Sequence, residues 1–175
     1  MFALNQSSQI ISNFVLFQVI WFASVLLANH SLWLTLPCLL ALFVCSNHKI
    51  TDLKLCFICA LLAFVVDGSL IASGFFILPS PSIFITPLWL LAIWLGFALT
   101  LQHSLFWLMK KPALAFLSGC IFGPLTYHAG MQLGAISFGV QTLTINLVLG
   151  CIWGFTLLYL SLYLKPKSQT LNKGD

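Results

Sequence analysis

Residues 142–164 read TLTINLVLGCIWGFTLLYLSLYL, an apolar run with no Asp, Glu, Lys or Arg in it. A helix needs about 20 such residues to cross roughly 30 Å of hydrocarbon. In lipid every backbone amide must find its partner within the protein, so a run of this kind becomes a helix. Comparable runs recur through the rest of the 175 residues. The hydrophobic class makes up 61% of the chain and charged residues only 6%, with a mean hydropathy of +1.07. A soluble domain carries about a quarter charged residues, so this chain cannot cover a water-facing surface. A membrane barrel would show alternating strands of about ten residues, and no such alternation is present. The expected fold class is an all-α membrane protein.

Six transmembrane helices are expected, near 9–29, 31–46, 53–78, 87–109, 113–135 and 142–164, in one domain over 1–164 followed by a basic tail over 165–175. The breaks have physical causes. Asn29-His30-Ser31 and Ser46-Asn47-His48-Lys49 are polar, Pro79-Ser80-Pro81-Ser82 cannot continue a helix, and Lys110-Lys111-Pro112 joins charge to a stop. The second helix is the shortest and holds Pro37. Met1 to Gln9 has no Lys or Arg, and the region around Ala28-Asn29 lacks a small-x-small cleavage pattern. The first apolar segment therefore reads as a retained helix rather than a signal peptide.

There is no Arg. With six spans, the loops bearing Lys49 and Lys54, Lys110 and Lys111, and the tail bearing Lys165, Lys167 and Lys173 share one side. The positive-inside rule makes that side the cytoplasm and places both termini there. The net charge of +4 is then a matter of topology and suggests no nucleic-acid partner. Cys38, Cys45, Cys56, Cys59, Cys120 and Cys151 all fall in apolar spans, where free Cys acts as a compact hydrophobe. Cys56-Phe57-Ile58-Cys59 matches a redox C-x-x-C by letter but lacks the βαβ context.

Asp67 is the only acid within these expected spans, near the middle of the third. An aspartate there costs about 2.5–3.5 kcal/mol on insertion scales, so it should face the bundle interior or a wet cavity. It is either a proton relay or ligand anchor, or a hydrogen bond between helices. Gly96, Thr100, His103 and Trp107 form a stripe along the fourth helix. Gly119, Gly123, Tyr127, Gly130 and Gly134 form a small-residue seam on the fifth, where Pro124 should bend the helix. The first helix adds Asn13, Gln18 and Trp21, and the sixth adds Asn146, Gly150 and Trp153.

Counting 1.5 Å per residue from each midpoint, His128 lies about 6 Å toward the outside and His103 about 7–8 Å toward the cytoplasm. The two histidines do not converge on one ion. No H-x-x-x-H or E-x-x-H pair supplies two ligands from one helix. No metal or other cofactor is expected. A serine nucleophile is disfavoured, since His103 and Ser104 are adjacent helix positions that do not face each other. The candidate ligand-binding residues are Asp67, His103, Gln18, Tyr127, His128, Trp21 and Thr100, and no catalytic residue is assigned. Ile93-Trp94-Leu95-Gly96-Phe97 and Ile152-Trp153-Gly154-Phe155 look alike, but the match needs a gap and does not extend into a repeat.

Phe17-Gln18 with Trp21, Asp67 with Gly74, Pro87-Leu88-Trp89, the run Trp94 to Trp107, and Gly123-Pro124-Leu125-Thr126-Tyr127-His128-Ala129-Gly130 resemble an uncharacterised bacterial inner-membrane family, domain of unknown function 2878. The family carries no established activity. Its genes tend to accompany lipid-modifying enzymes, so the resemblance implies a bacterial cytoplasmic-membrane location and raises lipid metabolism among the candidates.

Three functions remain. The first is a membrane component that binds or moves a small or lipid-like ligand in a polar intramembrane pocket. The second is an intramembrane enzyme or accessory subunit acting on lipid, with Asp67 or His103 as general acid or base. The third is a scaffold holding membrane-associated lipid enzymes, which the small cytoplasmic surface disfavours. The partners expected are the lipid bilayer, a small-molecule or lipid ligand, and lipid enzymes.

Overall fold

The computed structural model describes residues 5–79 and 84–165. The tail after Lys165, with Lys167 and Lys173, and the Ser80-Pro81-Ser82 part of the third break lie outside the described residues.

Helix α1 (Gln6–Leu27) starts at Asn5, whose Oδ1 accepts the Ser8 amide at 2.7 Å and caps the first turn. It ends at Ala28, where φ is 48°, a value that side-chain-bearing residues seldom adopt. A 3-10 turn (Ala28–Ser31) reverses the chain into α2 (Leu32–Val44), which packs back on α1. Helix α3 (Lys49–Leu62), a π turn (Ala63–Asp67) and α4 (Gly68–Ala72) form one helical run. Helix α5 (Leu88–Ala98), α6 (Phe106–Met109), α7 (Pro112–Gln132) and α8 (Thr142–Leu164) complete the bundle.

The protein is mostly helical. Ser7–Val44, Lys49–Ala72 and Thr142–Leu164 are each long and apolar enough to cross a membrane, the first containing the reversal at Ala28. Large apolar side chains point outward, among them Trp33 at 71% and Phe57 at 68% exposure. Such a surface suits lipid, since a soluble monomer seldom shows large contiguous apolar patches.

Two expected helices end early, for one reason. The helix expected to run to 78 stops at Ala72, and the one expected to reach 135 stops at Gln132. Each is followed by a glycine at positive φ, Gly74 at 76° and Gly134 at 81°. The chain beyond them forms strands β1 (Phe76–Ile77) and β2 (Ser137–Phe138), paired antiparallel with Phe76 opposite Phe138. A side chain at Gly139 would put its Cβ 2.0 Å from the Gly74 carbonyl oxygen, so this clasp depends on glycine there.

Helix α5 is the centre of the bundle. It buries Trp89, Leu90, Trp94 and Phe97 and packs against α1, α2 and α3. Helices α7 and α8 form the most extensive helix pair. A Cβ at Gly119 would lie 2.2 Å from the Trp153 carbonyl oxygen, so the seam lets the backbones approach as small-residue interfaces do. Only part of the expected seam serves this: nothing lies within 4 Å of a Cβ built at Gly130. Helix α7 carries on through Pro124. Proline has no N–H to offer the Cys120 carbonyl four residues earlier. That oxygen faces Gly150 of α8, 3.2 Å from where a Cβ would stand.

Candidate functional site

Two buried carboxyl groups organise the polar interior. Asp67 closes the π turn and is fully buried. Its Oδ2 accepts the Trp94 indole N–H at 2.6 Å, and its Oδ1 accepts the Tyr127 hydroxyl, also at 2.6 Å. Trp94 stacks on Trp153 with centroids 4.8 Å apart, and Tyr127 stacks on Phe76 at 5.0 Å. Asp67 thereby ties α5 and α7 to the π turn, and α8 joins through Trp153. In that turn the Ala63 carbonyl takes the Gly68 amide, and Thr86 Oγ1 also donates to it at 3.2 Å. Such wide turns inside helices recur at functional sites.

The second carboxyl is Asp52. With the third helix expected to begin at 53, Asp52 falls outside the expected spans. The helix in fact starts at Lys49, which puts Asp52 on the buried face with Leu55 and Cys59. That i, i+3, i+7 spacing was the signal available in the sequence. Asp52 Oδ2 accepts the Ser46 hydroxyl at 2.5 Å and pairs with His103 Nε2 at 2.9 Å. Its Oδ1 is buried with no hydrogen-bond partner. The loop before α3 folds onto this group: the His48 amide donates to Ser46 Oγ at 2.8 Å, and Lys49 Nζ donates to the Val44 and Ser46 carbonyls. The His48 and His103 rings lie 6.0 Å apart.

His103 reaches Asp52 because the helix expected over 87–109 is interrupted between α5 and α6. Thr100 donates its hydroxyl back to the Phe97 carbonyl at 2.6 Å. Asn13 of α1 supplies the rest. Its Nδ2 donates to the Leu99 carbonyl at 3.0 Å, and its Oδ1 accepts the Ser104 hydroxyl at 2.7 Å and the Ser104 amide at 3.3 Å. Irregular backbone inside a membrane protein persists where neighbouring helices satisfy it in this way. The expected stripe Gly96, Thr100, His103 and Trp107 is therefore not one face. Gly96 packs against Phe17 and Ile20, Thr100 is buried, and Trp107 is 58% exposed.

The remaining candidates stand apart. His128 Nε2 is 2.6 Å from Asn146 Oδ1, with its ring edge-on to Phe138. Trp21 packs edge-on against Phe22, and Gln18 is half-buried on α1. The structure thus brings Asp67 to Tyr127, and His103 to a partner the sequence reading missed. Asp67 has no hydrogen bond to either histidine. No group of three His, Cys, Asp or Glu side chains converges among the described residues, and all six cysteines are free. Cys59 is fully buried, as a packing residue would be. The look-alike segments around Trp94 and Trp153 meet through their stacked indoles.

A family described as "Protein of unknown function (DUF2878)" matches residues 10–159, which include both carboxyl clusters. No curated protein and no solved structure matches the chain.

Proposed function

The chain belongs to the DUF2878 family, and from that premise we propose a six-pass protein of a bacterial inner membrane that binds a small or lipid-like ligand in its polar interior. The six passes are α1, α2, the α3–α4 run, the α5–α6 run, α7 and α8. With that count, Lys49 and Lys54, Lys110 and Lys111, and Lys165 share one side, which the positive-inside rule makes cytoplasmic along with both termini.

One observation carries the ligand-binding reading: the buried Asp52 Oδ1 without a partner, beside His103. An unsatisfied buried acceptor costs about 1–3 kcal/mol, more when charged. A ligand hydroxyl or amine would remove that cost, with His103 as its neighbour and Thr100 in the same interrupted stretch. Asp67 and Tyr127 form a deeper polar group; Gln18, Trp21 and His128 are outlying positions of the set. The test is mass spectrometry of small molecules retained by the purified full-length protein. Wild type should retain a compound that Asp52→Asn and His103→Gln lose and His30→Gln keeps. Identical retention by all four proteins would end the reading.

The Asp52–His103 pair also favours a second reading, an enzyme or accessory subunit of lipid modification working with membrane-associated lipid enzymes. A carboxylate-oriented imidazole is a common general base. Here a lipid species should vanish from a deletion strain and return with wild type but not with His103→Gln.

A further inference from the structure

We propose that the outer face of α3 holds a second site, separate from Asp52, which seats one acyl chain of an anionic phospholipid with its head group on Lys54. The site is a groove of about 640 Å³ lined by Leu53, Lys54, Phe57 and Ala60 of α3, Leu95 of α5 and Tyr163 of α8. It exists because α3 packs on α5 while α8 packs on α7, leaving Leu95 between them. Its volume lies within the range of small-molecule sites, roughly 300–1,000 Å³.

The position of charge identifies the occupant. Lys54 is the one charged residue in the lining, is exposed, and makes no ion pair among the described residues. The groove surface is almost wholly apolar, so Lys54 lines it with its stem, and everything beyond it along α3 is apolar too. A lysine whose stem lies on apolar surface keeps its charged head in the polar layer. Residues 53 to 60 rise about 10 Å along the helix, which matches a chain running inward from a head group. Tyr163 stands at the C-terminal end of α8, where its ring and hydroxyl suit the level of lipid head groups. The groove belongs to the outward face of α3, where Leu53 and Phe57 are 62% and 68% exposed, whereas Asp52, Leu55 and Cys59 point inward. Loss of one site therefore leaves the other intact.

The experiment is native mass spectrometry of the full-length protein with phosphatidylglycerol or phosphatidylcholine of matched acyl chains. Wild type should retain one phosphatidylglycerol in preference to phosphatidylcholine. Lys54→Gln should lower that preference about fivefold, the worth of one basic residue near an anionic lipid surface. Ala60→Trp should abolish retention of both lipids, and Lys110→Gln should change neither. A preference unaltered in Lys54→Gln, or retention unaltered in Ala60→Trp, overturns the assignment. Displacement of the lipid by glycerol phosphate alone would also overturn it, because the head group would then need no chain. Photolabelling of wild type with a diazirine-tailed phosphatidylglycerol serves if Ala60→Trp does not fold. Label should fall on the 53–60 segment, and label elsewhere refutes the site.

Discussion

Asp52 and His103 meet at 2.9 Å across 51 residues of sequence, one from the first turn of α3 and the other from the interruption between α5 and α6. The contact joins two places where regular helix gives way, and Lys49 stands in the same first turn as Asp52. Neither residue would be in position without further support: the Ser46 loop holds Asp52 and the Asn13 side chain holds the turn that bears His103.

Breaking this pair should destabilise the fold measurably. Removing one partner leaves a buried polar group unsatisfied, which costs about 1–3 kcal/mol, and His103, at 19% exposure, should fall at the low end. His103→Ala and Asp52→Ala, measured singly and together by denaturant unfolding in detergent, should be non-additive by at least about 0.5 kcal/mol. Strict additivity would show that the contact contributes nothing.

Asn13→Ala should reach the same site indirectly. It removes three hydrogen bonds from the 99–104 stretch. A net loss of about 1 kcal/mol per bond is expected, together with faster hydrogen exchange of the Ser104 amide. Unchanged exchange there would mean the turn holds itself.

Tyr127→Phe and Trp94→Phe should each cost about 1–3 kcal/mol, because a buried acceptor on Asp67 loses a donor while ring volume is largely kept or reduced. Asp67→Ala should be worse, since it leaves both the Trp94 N–H and the Tyr127 hydroxyl without their acceptor. Wild-type stability of Asp67→Ala would remove this group from the framework of the bundle.

Glycines of α7 should differ sharply among themselves. Gly119→Ala drives a methyl group into the Trp153 backbone of α8 and should cost at least about 1–3 kcal/mol, the usual range for overpacking. Gly130→Ala meets nothing within 4 Å and should be neutral or stabilising by up to about 1 kcal/mol. Thermal unfolding of the two variants side by side decides the matter.

The legible parts of this protein were those set by local composition. An uncharged run bounded by Gln141 and Lys165 has only one way to satisfy its backbone in lipid, and α8 occupies Thr142–Leu164. The cost of an aspartate in hydrocarbon likewise pointed Asp67 inward. What sequence could not show depended on distant partners. The stretch around Thr100 and His103 has helical spacing, and it leaves the helix because Asn13, 86 residues away from Leu99, satisfies the freed carbonyl. Two-residue strands such as Phe76–Ile77 have no signature apart from their pairing with Ser137–Phe138. Tyr127 stands in the same candidate set as Asp67, but nothing local signals a direct bond that spans 60 residues. Asp52 was missed through a boundary placed four residues late, a small shift with a large effect because burial alternates around a helix.

The stacked indoles of Trp94 and Trp153 lie 4.8 Å apart with their planes 19° from parallel. Two chromophores so close share their excited states, and the pairing exists only when α5 and α8 are docked. The bundle therefore carries its own optical gauge. The exciton couplet of the paired indoles in circular dichroism should vanish when the helices separate, even while each of them remains helical in the micelle. Insertion and assembly, usually seen as one event, become separately readable from the unlabelled protein.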